Sequence, residues 1–273
     1  MTERPYVLLS AAMSADGYID DASSTRLVLS DEADLDRVDE LRAASDAILV
    51  GAETLRADNP RLLVRSPARR QRRLELGRAA SPRRVTITRS GALEPRARFF
   101  AAVADPPLVQ PDRPLLRPDR PVEFPDGSLY RGRPLVYTAP AVAGDLAARL
   151  SSAAVVVPVP VPGHAEGAPD LDLSWILADL ARRGIARLLV EGGAHVLAQF
   201  LSAGLADEFL LAIAPVLVAD ARAPRLLAGD SPSGRMALTG VTMAGDMAVL
   251  HYLPRTAQTG QSPQSGQPAH PAE

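Results

Sequence analysis

The second half of the sequence alternates short apolar runs with stretches of helical periodicity, and this alternation constrains the fold more than any other feature. It predicts strands at 154–157, 186–190 and 208–214, and helices at 173–183 and 194–203. Strands that alternate with helices of about ten residues are typical of an α/β fold, in which a mostly parallel sheet carries helices on both faces.

The first half follows the same pattern less regularly. Further strands are predicted at 6–12, 26–29, 47–50, 85–88 and 135–138, and the last strand of the second half is predicted at 248–253. Ser30 and Asp31 are suitable N-caps for a helix that ends near Ala44, and a shorter helix at 53–57 is predicted directly after Gly51.

Three segments do not fit this pattern. Residues 105–134 contain eight prolines and little periodicity, which predicts an extended surface insertion. The arginine-rich run at 69–73 has no aromatic neighbour, so we interpret it as a solvated loop and not as a nucleic-acid interface. The sequence therefore predicts one domain over 1–253, with an insertion at about 104–134, and a disordered tail over 254–273.

The composition excludes several classes of chemistry. All 30 basic residues are arginine and there is no cysteine. A Schiff-base enzyme and an ordinary phosphate-loop NTPase both need lysine, and a cysteine-ligated zinc site needs cysteine. No two histidines have metal-ligand spacing, so we expect no metal.

The net charge of -2 points to small molecules or a second copy of the chain as partners, and not to nucleic acid. No apolar stretch of about 18 residues and no signal-peptide pattern is visible. We therefore expect a cytoplasmic protein that does not cross a membrane.

The sharpest local motif is LLVEGGA at 188–194, a buried strand that turns through Gly192 and Gly193 into a helix. The first turn of a helix has unpaired N–H groups and a positive dipole end, and glycines let an anion approach the backbone closely. The motif therefore predicts a phosphate cradle. The alternative is that the two glycines only provide a tight turn.

Polar residues also follow several of the predicted strands. They are Ser14 and Asp16, then Thr54, Asp58 and Asn59, then Thr88, Arg89 and Ser90, and finally Thr138. Ligands of open α/β sheets bind beyond the carboxyl ends of the strands, so these residues are candidates for one shared crevice. The alternative is that each residue caps or turns its own segment.

Arginine side chains in these segments are candidates for phosphate binding. Thr88, Arg89 and Ser90 suit a phosphate monoester such as the one that distinguishes NADPH from NADH. Arg42 and Arg65 lie near the predicted crevice, but arginine is the only base in this chain and most copies must be surface residues.

Three blocks of the sequence together resemble one known family. They are VLLSAAMSADG at 7–17, LRAASDAILVGAETLRADNPRLLVR at 41–65 and LVEGGAHVLAQFLSAGLADEFLLAIAP at 189–215. In this order they are similar to the reductase domain of riboflavin biosynthesis, which forms the C-terminal half of the bacterial bifunctional deaminase/reductase. The resemblance covers about residues 5–253. It implies a dihydrofolate reductase-like fold, a homodimer and NADPH as the cofactor.

The resemblance also implies roles for single residues. Asp58 and Glu191 are the expected catalytic residues, with Asp58 contacting the substrate and Glu191 fixing the glycine turn or the substrate. Arg42 and Arg65 match arginines expected at a ribose phosphate, and Ser30 lies near the reacting sugar. The expected cofactor-binding residues are Thr54, Thr88, Arg89, Ser90, Thr138, Gly192 and Gly193.

The function expected from this resemblance is the NADPH-dependent reduction of a phosphoribosylamino-pyrimidine, with hydride delivered to C1′ of the opened sugar to give the ribitylamino product. Ser10 and Tyr18 stand where many bacterial members have lysine, which leaves open a reductase of a pterin, a folate or another heterocycle. A non-catalytic nucleotide-binding paralogue is the third alternative.

Overall fold

The computed structural model describes residues 4–23, 27–101, 132–160, 171–227 and 236–254. Nine strands lie in these ranges: β1 (Tyr6–Ser14), β2 (Ala47–Gly51), β3 (Arg83–Thr88), β4 (Leu135–Thr138), β5 (Val155–Pro158), β6 (Arg187–Gly192), β7 (Glu208–Ala214), β8 (Met236–Ala244) and β9 (Met247–Pro254). The α-helices in the same ranges are α1 (Glu32–Ala44), α2 (Ala52–Asp58), α3 (Pro67–Glu75), α4 (Pro140–Leu150), α5 (Leu173–Arg182) and α6 (Ala194–Ser202).

All nine strands form one sheet in the order β5-β4-β3-β2-β6-β1-β7-β9-β8. The neighbours from β5 to β7 pair in parallel, whereas β9 pairs antiparallel with both β7 and β8. The predicted mixed, mostly parallel sheet is confirmed.

Helices cover both faces of the sheet, because the strand side chains alternate between two apolar cores. On β6, Leu188 and Val190 face the core that contains α5 and α6, including Phe200. Leu189 faces the opposite core, which contains Leu55 of α2 and residues of α4. Central strands that are buried on both faces are continuously apolar, which is why this part of the fold could be predicted.

Two predictions for the first half are wrong. Residues 27–29 of the predicted strand 26–29 are not extended into a ladder, because the Leu27 backbone N–H donates to the Asp20 carboxylate at 2.8 Å instead of to another strand. The arginine-rich run at 69–73 is not a solvated loop but most of α3. Within it Arg73 is only 4% exposed and donates to the carbonyl oxygens of Ala43 and Ser45, at 2.7 Å each.

Two elements were not predicted at all. Helix α4 follows β4 and packs through Leu146 and Leu150, but it begins at Pro140 and is rich in alanine. Strand β8 forms the edge of the sheet, where Leu238, Val241 and Met243 are exposed, so it lacks the buried apolar run that identified the other strands.

Other predictions lie outside the described residues. These are most of the proline-rich insertion, since 102–131 are not described, and the tail after Pro254. Within the described ranges, no helix has the length and apolar character to span a membrane.

Candidate active site

The carboxyl ends of the parallel strands point in one direction, and β2 and β6 are neighbours in the middle of the sheet. Helix α2 leaves β2 over one face of the sheet toward β3, and α6 leaves β6 over the other face toward β7. Such a divergence is the topological switch point at which open α/β sheets bind ligands. The loops that follow β2 and β6 therefore line the candidate active site.

The glycine turn after β6 needs its glycines for two reasons. Gly193 has φ = +85°, which other residues rarely adopt, and a Cβ atom there would lie 3.1 Å from Oγ1 of Thr54 on α2. Gly51, at the end of β2, allows a similar close approach, since its Cβ would lie 2.9 Å from Cγ2 of Val196. Each loop thus lies against a side chain of the helix that follows the other, and a Cβ atom at Gly193 would also lie 4.0 Å from the backbone N and Cα of Gly51.

The start of α6 has the properties that we predicted for a phosphate cradle. The helix begins at Ala194, and its N-cap residue Gly193 provides no side-chain hydrogen bond to the first turn. The first N–H groups therefore have no capping side chain, and the positive end of the helix dipole adds to their attraction for an anion.

Glu191 and Arg42 form an ion pair next to this turn. Nε and Nη2 of Arg42 donate to the two carboxylate oxygens of Glu191, at 2.6 Å each. The Arg42 side chain is 16% exposed and the Glu191 side chain is 9% exposed. Leu49 of β2 pairs with Val190 of β6, but the next residue, Val50, pairs with Gly192. Glu191 is therefore the extra residue of a β-bulge.

This pair connects α1 with the glycine turn. Burial opposes the charge of Arg42, but the hydrogen bonds and the charge of Glu191 outweigh it, so the pKa of Arg42 is raised. We predicted separate roles for the two residues, and their bidentate pairing was not visible in the sequence. Nη1 of Arg42, which does not contact Glu191, makes a long hydrogen bond of 3.4 Å to the carbonyl of Leu63.

The segment after α2 presents Asp58 and Arg65. Asp58 is the last residue of α2 and is half-buried. Asn59 follows in the left-handed conformation, and its side-chain oxygen accepts a hydrogen bond from the Arg98 backbone N–H at 2.7 Å. The Arg65 side chain is exposed, whereas its backbone N–H donates to the buried carboxylate of Asp39.

The residues predicted to contact the cofactor beyond the turn differ in their accessibility. Thr88 is buried and its hydroxyl accepts from the Gly91 N–H at 3.1 Å, whereas Arg89 and Ser90 are exposed. Thr138 pairs with Thr88 in the sheet and is fully buried, and among the described residues its hydroxyl has no hydrogen-bond partner. Only the exposed residues of this group can reach a ligand without a rearrangement.

The loop after β1 is tied to the loop after β7, which the sequence did not indicate. Asp16 accepts hydrogen bonds from the hydroxyl of Ser14 at 2.6 Å and from the backbone N–H groups of Val218 and Ala219 at 3.2 and 2.8 Å. The Ser14 hydrogen bond and those of Ala219 and Val218 lower the pKa of Asp16 to about 2.

Arg225 is a candidate that sequence reasoning missed. Its guanidinium carbon lies 4.3 Å from the centre of the Tyr18 ring, and Nη2 donates to the Tyr18 hydroxyl at 2.8 Å. Tyr18 is buried, and it is one of the two positions where many family members have lysine. The positive charge of Arg225, from the loop after β7, therefore lies beside this position. Within the described ranges, no cluster of three or more His, Asp or Glu side chains could hold a metal ion.

The sheet order and the helices on both faces define the class of this protein. The structure matches a pyrimidine reductase-like protein from Corynebacterium diphtheriae with a TM-score of 0.69 at 24% identity, over 92% of each chain. It matches RibD from Acinetobacter baumannii with a TM-score of 0.65 at 23% identity, over 93% of this chain but 59% of that one. The chain has the dihydrofolate reductase-like fold of these reductase domains.

The sequence comparisons then identify the family. The model of the RibD C-terminal domain matches residues 5–250, so the chain belongs to this family. A 2,5-diamino-6-ribosylamino-4(3H)-pyrimidinone 5′-phosphate reductase from Archaeoglobus fulgidus is 31% identical over 84% of this chain and 88% of its own length. A reductase of the same name from Methanothermobacter thermautotrophicus is 31% identical over 83% of this chain and 85% of its own. The resemblance stated from the sequence is confirmed.

Proposed function

We propose that this protein is an NADPH-dependent reductase that converts a phosphoribosylamino-pyrimidine into its ribitylamino product. The observation that carries the proposal is the Gly192–Gly193 turn, whose uncapped helix start lies at the switch point beside Glu191 and Arg42. The names of the two relatives at 31% identity support the reaction and the class of substrate.

A dinucleotide fits the residues that surround the turn. The α6 N–H groups and the two glycines would hold the diphosphate. The Thr54 hydroxyl lies next to Gly193 and so borders the same turn. The exposed guanidinium of Arg89 and the hydroxyl of Ser90 would bind the 2′-phosphate that distinguishes NADPH from NADH. When bound, the reduced nicotinamide supplies the hydride.

The chain itself supplies position and charge. Arg65 has an exposed guanidinium suited to the substrate phosphate, and Arg42 keeps N–H groups beyond those that bind Glu191. Asp58 would orient the sugar and relay a proton while the ring opens, and Ser30 would contact the same sugar. No covalent intermediate with the protein is needed, in agreement with a chain that has neither cysteine nor lysine.

The test is a turnover assay with purified protein and NADPH. The substrates are the diaminopyrimidinone phosphate named for the archaeal relatives and the aminouracil phosphate named for a structural neighbour from Thermotoga maritima. We expect a loss of nicotinamide absorbance with at least one of them, and a much lower rate for Asp58→Asn. A chain that binds NADPH but reduces neither compound would contradict the proposal.

Two further comparisons test the details. Replacing NADPH with NADH tests whether Arg89 binds the 2′-phosphate of the cofactor. Substrates without a phosphate test whether Arg65 binds the substrate phosphate. Equal rates with phosphorylated and unphosphorylated substrates would instead favour the reductase of another heterocycle, since only a phosphorylated substrate needs Arg65.

We also propose that the protein is a homodimer. The face of the sheet toward α5 and α6 extends to β8, where Leu238, Val241 and Met243 are 54%, 55% and 67% exposed. An edge strand with exposed apolar side chains is unfavourable in a monomer and is typical of an interface. Light scattering should give the dimer mass for the wild type and the monomer mass for Val241→Glu. A wild-type monomer at micromolar concentration would contradict this.

The remaining proposals concern domain and location. We propose one domain over 1–253 and a cytoplasmic location, where NADPH is available. Cell fractionation tests the location, and limited proteolysis tests whether cleavage is confined to about 104–134 and 254–273.

A further inference from the structure

The turn between β8 and β9 contacts the N-terminus of α1 through a single carboxylate. Oδ1 of Asp31 accepts from the Asp34 backbone N–H at 2.8 Å, which is the N-cap hydrogen bond of α1. Oδ2 accepts from the Asp246 backbone N–H at 3.0 Å. One side chain therefore serves two elements that are 215 residues apart in the sequence.

The β8–β9 turn is shaped to receive this carboxylate. Gly245 has φ = +59°, and a Cβ atom there would lie 2.0 Å from Oδ2 and 2.7 Å from Cγ of Asp31. Because both oxygens of Asp31 are hydrogen-bonded, the carboxylate cannot turn away without losing a bond. Any residue other than glycine at 245 would therefore break what we call the hairpin contact, the hydrogen bond between Asp31 and Asp246.

The hairpin contact lies beside Ser30. The segment 27–30 contains no regular structure and is held at both ends by carboxylates, since Asp20 accepts from the Leu27 N–H at 2.8 Å and Asp31 follows Ser30 directly. Between these points Leu29 packs against the core that includes Val249 and Met247 of β9. The position of Ser30 thus depends on contacts with the β8–β9 hairpin and on the Asp20 contact.

We propose that Asp31 and Gly245 are positioning residues for the substrate side of the active site, and that the β8–β9 hairpin holds the Ser30 segment in the conformation that binds substrate. This inference rests on the proposed function. It assigns a role to a hairpin that lies at the end of the sheet, three strands away from the glycine turn that would hold the cofactor.

Two variants test the proposal. Asp31→Asn retains an oxygen for the Asp34 N–H, and asparagine is as good an N-cap as aspartate, but its amide nitrogen cannot accept from the Asp246 N–H. Gly245→Ala removes the same contact from the other side. The matched control is Gly204→Ala, at φ = +63° with no atom within 4 Å of the added Cβ, which introduces the backbone strain alone.

We expect both variants to raise the KM for substrate by about threefold to tenfold, as for the loss of one orienting hydrogen bond, with an unchanged Kd for NADPH. Gly204→Ala should leave the KM unchanged. An unchanged KM in Asp31→Asn, or an equal rise in Gly204→Ala, would overturn the proposal.

Amide hydrogen exchange separates this inference from the proposed function, because it needs no substrate. Both variants should exchange faster than the wild type at 27–30 and no faster at 192–196. Unchanged exchange at 27–30 would overturn the positioning role even in an active enzyme. A wild-type protein that lacks turnover would instead contradict the proposed function alone.

Discussion

The two sides of the active site are built in different ways. On the side of the glycine turn, two consecutive glycines allow a close approach to Thr54 and Gly51, and the constraint is that no atom be added at Gly193. On the other side, carboxylates bind backbone N–H groups of distant segments, as Asp16 binds Val218 and Ala219. An atom added at Gly193 would disrupt the first side, and removal of a carboxylate charge would disrupt the second. The pair of Arg42 and Glu191 is a direct link between them.

The largest effect is expected from breaking that link. Arg42→Met leaves the Glu191 carboxylate buried without its ion-pair partner, which should lower the free energy of unfolding by about 3 kcal/mol. The double variant Arg42→Met/Glu191→Met removes both charges and should be more stable than Arg42→Met. Denaturant unfolding measures both. If the double variant were the less stable of the two, the pair would not behave as a buried ion pair.

A smaller effect is expected from adding an atom to the glycine turn. Gly193→Ala places a Cβ atom 3.1 Å from Thr54 Oγ1 at a positive φ, and strain of about 2 kcal/mol would raise the Kd for NADPH about thirtyfold. Gly184→Ala is the control, since its φ is +78° and nothing lies within 4 Å of the added atom. Calorimetry should find the wild-type Kd for the control. Unaltered binding by Gly193→Ala would argue against the phosphate cradle.

Neutralising the buried carboxylate of Asp39, on the substrate side of the site, should lower the free energy of unfolding by about 1–2 kcal/mol. Asp39 accepts from the Ser66 N–H at 3.1 Å and from Nη1 of Arg69 at 3.1 Å, in addition to the Arg65 N–H, and Asp39→Asn weakens this set.

Asp36→Asn is the comparison for that variant, because Asp36 also binds Arg69 but its side chain is 68% exposed. It should cost much less than Asp39→Asn, because exposed ion pairs contribute little to stability. Thermal or denaturant unfolding compares the two variants. Equal losses would show that burial does not distinguish these carboxylates.

The smallest effect concerns pH. The folded-state pKa of Asp16 is about 2, below its usual value of 3.8, so its contribution to stability is complete above about pH 4 and is lost as the pH falls toward 2. The melting temperature of Asp16→Asn should therefore fall less than that of the wild type across this window. Parallel curves for the two proteins would contradict the role of Asp16 as a charged acceptor.

The same contrast explains how much could be predicted from the sequence. The central strands and the glycine turn were predicted because burial on both faces gives continuous apolar runs, and because the residues of the turn are neighbours. Helix α3 was missed although Ser66 caps it, because its buried face includes Arg73, which donates to carbonyls at the end of α1 and does not look apolar in the sequence. Asp16, Asp31 and Glu191 each also have a partner that lies 149 or more residues away, and no local pattern reports these long-range partners.

The sequence therefore named candidate site residues, which stay a prediction, but it could not give their arrangement. Thr138 shows the limit most clearly. A threonine at the end of a strand was a reasonable candidate for a cofactor ligand, but Thr138 lies on a strand between two others and is completely buried.

The order of the strands has a consequence for synthesis on the ribosome. Strand β1 is translated before the other eight strands described here, but its two neighbours are β6 and β7, with Tyr6 paired to Arg187. Until β6 has been translated, both edges of β1 have no native partner, and the growing chain must keep an apolar strand from pairing elsewhere. Contacts of such long range slow folding, so release of the nascent chain before β6 would leave a sheet divided into two unconnected parts.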